Sequence, residues 1–517
     1  MESIERVAMV ETPIDKGAQI EAVEAVEQEP PVEPALSEKP QRPSSISTCD
    51  SGLHGEVDFT KQRRLVLCFD GTGNKFHGDD TDSNIVKIYE LLDRRSDLQF
   101  HYYQPGIGTY VQNEGTTFIG RFGDKIRTVL DQAVGTSFKA HVIGGYSFIM
   151  KYYNPGDCIY IFGFSRGAYT ARFLSEMLAG VGLLSRGNEE MIEFGWKTFS
   201  TFQTSRHDGG PKDLKRRNFM RKFKKTFSRS GVNVHFLGLF DCVNSVGQLE
   251  PPFWRKSYAY MPMGSSATHI RHAVSVHERR LKFKPALYKG FIDHPDLKEV
   301  YFCGNHGDVG GGWGKSPDQK RALSDIPLAW MLQEVRNLPD TENKLEFTQP
   351  EEYLLEKGAE EAERQFEEHL EQLGKGLIDD TQGMRPHDPL SFSGGGGFLG
   401  VLGWWILAVA DVVIHLYMDG FAEVMPFISR LEYENGKWVP RYWPPNFGTP
   451  RDIPADADIH PSLVALHEGG VLKESEVPKL LSNRDHYTFK VEGGTRTQKK
   501  KPAPKPTEEP PKEKEKK

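Results

Sequence analysis

Short apolar runs alternate with amphipathic stretches through the middle of the chain. Four such runs end in Gly, Asp or Asn or lead straight into a glycine-bounded turn: 64–70 (RLVLCFD), 158–164 (CIYIFGF), 232–241 (VNVHFLGLFD) and 299–305 (EVYFCGN). Short continuous apolar runs are typical of strands buried on both faces of a parallel sheet. Four stretches between them have helical periodicity: 84–95, 137–153, 167–181 and 325–338. The alternation predicts an α/β fold with a doubly wound, mainly parallel sheet, whose functional groups lie at the carboxyl ends of the strands.

The two ends of the chain have a different composition. Residues 1–58 are acidic and rich in Pro and Ser, and from about 495 the sequence is a Pro/Lys/Glu tract, so we expect both tails to be disordered. The predicted division is a tail (1–58), an α/β core (59–340), an acidic helical insertion (341–390), an apolar lid or core-completing segment (391–470) and a C-terminal extension (471–517).

Two segments could serve an interface. Residues 206–229 form a basic amphipathic pattern with Phe219, Phe223 and Phe227 at helical spacing, which would either pack on the sheet or lie on an anionic membrane. Residues 394–418 approach the length of a membrane span, but Asp411 and His415 interrupt the apolar run. We therefore expect a buried helix, a lid or an interfacial anchor there.

Composition narrows the class of protein. The formal net charge is −7, which excludes a nucleic-acid binder driven by bulk charge. Five cysteines among 517 residues are too few for a disulfide scaffold, and the acidic start has no apolar leader. We expect a cytoplasmic protein, with peripheral membrane contact as an open alternative. No Cys-x-x-Cys, His-Glu-x-x-His or cofactor motif occurs, so we expect neither a metal nor a cofactor.

The motif Gly163-Phe164-Ser165-Arg166-Gly167 lies between an apolar run and a helical pattern. This is the context of a nucleophile elbow, in which a strand turns sharply into a helix and exposes a serine hydroxyl. The small residues Gly163 and Gly167 permit the crowding of such a turn. The competing interpretation is that Ser165 only caps the helix.

A serine nucleophile needs a base and an acid, which follow in the order acid then histidine in hydrolases of this sheet type. Asp241 ends the run 232–241, and His306 follows the run 299–305. We predict that these two residues complete a triad with Ser165. The alternatives are Asp308 and Glu278 for the acid, and His272, His277 and His460 for the base.

The first apolar run ends in Asp70-Gly71-Thr72, a loop whose Gly71 and Thr72 could stabilise an oxyanion together with the backbone N–H of Arg166. Asp-Gly-Thr after a strand is also similar to phosphatases of the haloacid dehalogenase type. The nucleophilic aspartate of those enzymes would stand at Cys68, so we expect that chemistry to be absent; Asp70 could still hold a cation or brace the loop.

Several blocks together resemble one family of α/β hydrolases, the DUF2235 family, which is grouped with the catalytic domain of type VI secretion phospholipase effectors. The blocks are FDGTGN (69–74), YQPGIGT (103–109), GFSRGAYTAR (163–172), FLGLFDCVNSVG (236–247), GNHGDVGGGW (304–313), LSDIPLAWM (323–331) and IHPSL (459–463). The sequence departs from the family pattern at Phe240 and Cys242, where a tryptophan and a threonine are expected, and at His277, where an aspartate is common.

This resemblance implies Ser165 as nucleophile, His306 as general base and an aspartate, which we assign to Asp241, as the orienting acid. It also implies ester hydrolysis, with phospholipid as a substrate of the secreted bacterial members. The resulting hypothesis is a serine esterase of phospholipase A type; a catalytically silent binding or scaffold protein on a hydrolase fold is the alternative from another class. A third interpretation is phosphate-ester hydrolysis by Asp70 with a divalent ion.

Overall fold

The computed structural model describes the part of the chain in which the predicted sheet lies. The described residues are 62–72, 74–106, 135–203, 210–243, 266–280, 283–288, 292–315, 319, 321–339, 344–348, 384–392, 398–399, 401–405, 430–434, 437–441, 448, 451–454, 457–468, 470–472, 490–491 and 494–495. Residues 1–58 and 496–517 of the predicted disordered tails, residues 351–371 of the predicted acidic insertion and residues 406–418 of the apolar segment lie outside these ranges.

Seven parallel strands form the central sheet. In chain order they are β1 (Arg64–Phe69), β2 (Gln99–Gln104), β3 (Cys158–Phe164), β6 (Val234–Phe240), β7 (Ala267–Ser275), β8 (Leu297–Phe302) and β11 (Asp458–Ile459). Their spatial order is β11-β8-β7-β6-β3-β1-β2. Two-residue strands β4 (Leu183–Leu184) and β5 (Ser228–Arg229) form a small antiparallel ladder, as do β9 (Arg430–Glu434) with β10 (Lys437–Arg441) and β12 (Lys490–Val491) with β13 (Gly494–Thr495).

The direction of winding reverses between β1 and β3. The chain places β2 outside β1 on one side and β3 against β1 on the other, so the connections diverge at this point. Crevices at such switch points, beyond the carboxyl ends of the strands, are the usual ligand sites of open α/β sheets. The Asp70 loop and Ser165 both lie at this switch point.

Helices cover both faces of the sheet. They are α1 (Asn84–Leu91), α2 (Gly135–Tyr152), α3 (Arg166–Val181), α4 (Ile192–Gln203), α5 (Pro211–Phe227), α6 (His306–Gly310), α7 (Asp325–Arg336) and α8 (Pro461–Glu468). A 3-10 turn, Glu189–Met191, precedes α4.

Alternate residues of each strand enter two separate cores, because successive strand side chains point to opposite faces. In β1, Leu65, Leu67 and Phe69 pack with α2, α3 and α4, whereas Val66 and Cys68 pack with α1, α7 and α8. Burial on both faces accounts for the continuous apolar runs of the sequence. The predicted α/β fold with a parallel sheet is confirmed.

One alternative for the basic segment was that its Phe row packs on the sheet. The basic helix α5 instead packs on other helices. Phe223 is buried beside Gly195 of α4 and Met220 beside Gly180 of α3, but Phe219 and Phe227 are 52% and 42% exposed. Gly180 lies about four turns from the start of α3, so this contact is remote from Ser165. No helix among the described residues is both long and apolar enough to cross a membrane.

Candidate active site

The turn from β3 into α3 holds Ser165 in an unusual backbone conformation. Its φ and ψ are 60° and −124°, a region that residues other than glycine rarely occupy. The Ser165 side chain makes no capping hydrogen bond to α3, so the simple N-cap interpretation has no support. The backbone instead ties the turn to β6, with Ser165 N–H donating to the Phe240 carbonyl at 3.0 Å.

The two glycines of the turn are required by close backbone contacts. A Cβ atom on Gly167 would lie 2.3 Å from the carbonyl oxygen of Phe69, and one on Gly163 would lie 2.6 Å from the Cα of Ala168. Such distances are far below van der Waals contact. Side chains at these two positions would therefore push α3 away from the ends of β1 and β3.

Asp241 and His306 meet at the same edge of the sheet. Asp241 directly follows β6 and has a positive φ of 39°, while His306 is the first residue of α6, after β8. The Asp241 Oδ2 atom and the His306 Nδ1 atom are 2.5 Å apart, and both side chains are buried. Because Nδ1 is engaged with the carboxylate, Nε2 is the nitrogen left to exchange a proton.

Two aromatic rings enclose the imidazole of His306. Phe164, the residue before Ser165, and Phe283 each have a ring centroid 4.7 Å from that of His306. Burial lowers the pKa of His306, while the neighbouring Asp241 opposes this effect. A lowered pKa keeps the imidazole neutral and able to accept a proton near neutral pH.

Arg451 is a site residue that sequence reasoning missed. Its Nη1 lies 2.5 Å from Asp241 Oδ1 and its Nη2 lies 3.1 Å from Asp241 Oδ2. Burial alone would raise the pKa of Asp241, but Arg451 and His306 together hold it well below its usual range. No motif surrounds Arg451; its position eight residues before the IHPSL block (459–463) is the one signal that could have directed attention to it.

The two alternative acids have other partners. Asp308 accepts from the Asn305 N–H at 2.9 Å in the capping box of its short helix, and its Oδ1 lies 2.6 Å from His387 Nδ1. Glu278 is paired with Arg280 and reaches only the backbone N–H of His306, at 3.2 Å. Of the three carboxylates, Asp241 alone has a hydrogen bond to the imidazole among the described residues.

The alternative bases are likewise engaged in the fold. His272 is buried between the Cys242 N–H, 3.1 Å from its Nε2, and Glu299, 2.8 Å from its Nδ1. His277 Nδ1 accepts from the Gly304 N–H at 2.9 Å. His460 stacks on Phe302, and its burial lowers its pKa to about 3. Each of these contacts explains the histidine as a structural residue.

The loop after β1 lies against the start of α3, since Gly167 touches the carbonyls of Phe69 and Asp70. The Gly71 N–H, one predicted oxyanion donor, already donates to Asp70 Oδ1 at 2.7 Å. This contact makes Gly71 unsuitable as a donor in this conformation. The Thr72 hydroxyl is buried and has no hydrogen-bond partner in the described part of the chain.

Asp70 itself braces this loop. Besides the Gly71 N–H it accepts from the Tyr103 hydroxyl at 2.8 Å, and burial raises its pKa. Cys68, two residues earlier, is fully buried, and burial also raises the pKa of its thiol. No cluster of three or more metal-ligating side chains occurs among the described residues.

The sequence matches the family described as "T6SS, Phospholipase effector Tle1-like, catalytic domain" over residues 63–334. This family comprises hydrolases of the lipase and phospholipase type. The chain belongs to it, and the matched span contains β1 to α7 up to residue 334, including Ser165, Asp241 and His306.

Individual similarities are more limited. The Saccharomyces cerevisiae protein "Uncharacterized protein YEL023C" is 38% identical over 261 residues, which are 50% of this chain and 37% of the yeast chain. An uncharacterized protein from Pseudomonas aeruginosa of known crystal structure has a TM-score of 0.32 and 18% identity, covering 62% of this chain and 53% of its own. The Tle1 effector bound to the VgrG spike of the type 6 secretion system has a TM-score of 0.28 and 20% identity, covering 50% of this chain and 53% of its own.

Proposed function

We propose that the protein is a serine carboxylic-ester hydrolase of phospholipase type. The observation that carries this proposal is the buried hydrogen bond between His306 and Asp241 at the sheet edge where Ser165 is held in its strained turn. In serine hydrolases a base, an orienting acid and a serine on a sharp turn form one catalytic unit. Membership of a phospholipase-type family supports the same class of reaction.

The proposed reaction has two halves, and in each half His306 acts first as a base and then as an acid. The Nε2 atom of His306 takes the Ser165 hydroxyl proton as the serine oxygen attacks the ester carbonyl, and Asp241 stabilises the resulting imidazolium through Nδ1. The alcohol leaves with the proton from Nε2, which gives an acyl-enzyme. Water then attacks the acyl carbon as His306 takes its proton, and His306 returns that proton to the Ser165 oxygen as the acid leaves.

Two groups are proposed to stabilise the oxyanion. Arg166 is the first residue of α3, and N–H groups in the first turn of a helix have no carbonyl partner within that helix. Thr72 belongs to the loop that follows β1, and its buried hydroxyl has no hydrogen-bond partner among the described residues. Donors of this kind, aimed at the developing charge, contribute about 3 to 4 kcal/mol each in acyl-transfer enzymes.

Exposed apolar residues near the site support a lipid ester as substrate. Trp404 contacts Phe283, which in turn packs on His306. Four side chains in the same segment are between 39% and 66% exposed: Phe392, Phe398, Leu399 and Leu402. Clustered apolar exposure of this kind is typical of surfaces that meet a ligand or a membrane. We also propose a cytoplasmic location. The four described cysteines are free thiols, as is usual for proteins of a reducing compartment.

The test compares wild type with Ser165→Ala on a short-chain nitrophenyl ester and on mixed phospholipid vesicles. Loss of the serine should lower kcat by at least about 1,000-fold and abolish covalent labelling by a fluorophosphonate. A chelator should leave wild-type activity unchanged, since the proposed steps need no metal.

Ser175→Ala is the matched control. Ser175 is also buried on α3, but it lies ten residues after Ser165 and its hydroxyl donates to the Ser266 carbonyl at 2.6 Å. This variant should retain labelling and turnover. Folded wild-type protein that neither labels nor hydrolyses any of these esters would refute the proposal and favour the silent scaffold. Activity that a chelator removes and Ser165→Ala retains would instead favour phosphate-ester chemistry at Asp70.

A further inference from the structure

The guanidinium of Arg451 joins three elements around the proposed catalytic acid. Besides the two oxygens of Asp241, it reaches the carbonyl and hydroxyl oxygens of Ser275 at 3.2 and 2.7 Å, and the Phe283 carbonyl at 2.5 Å. Ser275 ends β7, and its own N–H donates to Asp241 Oδ1 at 2.9 Å. The Arg451 side chain is only 8% exposed.

We propose that Arg451 is a positioning residue that fixes the orientation and charge of Asp241 toward His306. This inference rests on the serine-hydrolase function proposed above. The planar fork of an arginine matches a carboxylate at two points, which locks the carboxylate plane as a single contact cannot. That plane decides where Oδ2 lies, and Oδ2 is the atom bonded to His306 Nδ1.

The same geometry couples Arg451 electrostatically to the imidazole. Asp241 Oδ2 contacts both His306 Nδ1 and Arg451 Nη2, so the two nitrogens lie within the distance of about 6 Å at which charges perturb each other. A cation there competes with the imidazolium for the carboxylate. Arg451 therefore favours the neutral imidazole that the first proton transfer requires.

The other charged groups near His306 do not share this effect equally. Glu278 and Arg280 pair with each other, and Asp308, on the same helix as His306, is bonded to His387. Their charges are partly compensated by these partners, whereas Arg451 and His306 have Asp241 as a common partner. Arg280 lowers the pKa of His306 and Glu278 raises it, so these two paired side chains act on the imidazole in opposite directions.

The contact between Arg451 and Asp241 also extends the proposed site beyond the part of the chain that matches the family. Arg451 lies beyond residue 334, where the family match ends. The proposed acid is therefore held by a side chain from outside the matched domain. Arg451 is 210 positions from Asp241 in the sequence, so it reaches the site because the chain returns to this part of the fold.

The experiment measures the pKa of His306 directly in the full-length protein. Ring-2-¹³C-histidine is incorporated, the signals of the 17 histidines are followed by NMR as pH is varied, and His306→Gln identifies the relevant one. In Arg451→Gln the midpoint should rise by about one pH unit, because a cation about 6 Å away is removed. In Arg451→Lys the charge stays, so the midpoint should stay within about 0.3 units of wild type.

Hydrolysis of the nitrophenyl ester gives the second readout. Both variants should lose about 10- to 100-fold in kcat, the effect usual for an outer residue that orients a functional group, with KM changed less than about threefold. For Arg451→Gln alone, the acidic limb of the pH profile of kcat/KM should move upward with the NMR midpoint.

Arg63→Gln is the matched control for general loss of stability. Arg63 makes the same two-point contact to Asp157, at 3.2 and 2.6 Å, and also bonds a backbone carbonyl, but it lies at the opposite edge of the sheet. Its variant should leave both the His306 midpoint and kcat unchanged.

An unshifted midpoint in folded Arg451→Gln overturns the inference, as does an equal shift in Arg63→Gln. Because the NMR titration needs no turnover, its outcome is separate from that of the proposed function. A shifted midpoint in a protein without ester hydrolysis would refute the serine-hydrolase proposal and leave the coupling between Arg451 and His306 established.

Discussion

The backbone strain at Ser165 makes a counterintuitive prediction: replacing the proposed nucleophile by glycine should stabilise the protein. With φ at 60° and ψ at −124°, Ser165 occupies a region that costs a residue with a Cβ about 1 to 3 kcal/mol. Glycine relieves this strain but has more conformational freedom in the unfolded chain, which costs about 0.5 to 1 kcal/mol relative to alanine.

The net expectation is that Ser165→Gly is more stable than Ser165→Ala by about 1 kcal/mol. Comparing glycine with alanine removes the contribution of the hydroxyl, which in any case makes no capping bond. Ser165→Ala itself should lie within about 0.5 kcal/mol of wild type, since it keeps the strain and loses no hydrogen bond of the helix. Both variants should be inactive.

Equilibrium urea unfolding of the full-length variants measures these differences. The same pair of substitutions at Ser175, in the interior of α3, provides the control: there glycine should be less stable than alanine by about 1 kcal/mol, as in any helix interior. Opposite signs at the two positions are the expected result. If glycine were also the less stable residue at position 165, the strain argument would be refuted, and with it the idea that the turn is maintained for function.

Two further outcomes follow from contacts around His306. A Cβ at Gly310 would lie 1.9 to 2.4 Å from the Phe164 ring, so Gly310→Ala must displace the ring that packs on His306. We expect this variant to lose about 1 to 3 kcal/mol in unfolding free energy, measured by urea unfolding. Its turnover in ester hydrolysis should also fall. Burial would raise the pKa of Glu278, but Arg280 and Arg451 lower it to about 2 from the ordinary 4.5. Glu278 should therefore contribute about 3 kcal/mol of stability above about pH 4.5, and this contribution should be lost as pH falls toward 2. The measurement compares the unfolding free energies of wild type and Glu278→Gln at pH 3 and pH 6. A difference between the two proteins that did not shrink at pH 3 would contradict the prediction.

The fold was predictable where one physical pattern dominated. The four predicted strands lie within a few residues of β1, β3, β6 and β8, because strands covered on both faces must be apolar throughout. The four predicted helices α1, α2, α3 and α7 also appear. Helix α4 was not predicted, although its buried Phe199 and Phe202 follow the helical pattern.

Strand β7 shows why the pattern failed elsewhere. Its sequence, ATHIRHAVS, contains buried His269, Arg271 and His272, which make it look unlike a core strand. Each has a partner carboxylate from another part of the chain: Asp296, Glu334 and Glu299 respectively. Buried polar side chains are tolerated when they are paired, and such pairing is not visible in a local window of sequence.

Part of the candidate site could likewise be predicted from the sequence, and part could not. Ser165, Asp241 and His306 could be proposed because each follows an apolar run, and parallel strands bring their carboxyl ends to one edge. Gly71 was predicted as an oxyanion donor, but its N–H is already bonded to Asp70 Oδ1. That bond depends on the rotation of the Asp70 side chain, which no sequence pattern specifies. The predicted domain boundaries and the roles assigned to the site residues stay predictions.

The short strand β11 has a consequence for any attempt to produce this domain in isolation. Its two residues pair with Val300 and Tyr301 of β8, and Leu463 and Leu466 of the following α8 complete the core beneath. A protein cut at residue 334 would leave β8 as a bare edge with unpaired backbone donors and acceptors, which invites strand addition between molecules. We expect such a fragment to aggregate, so the limit of sequence similarity is a poor guide to where this polypeptide can be shortened.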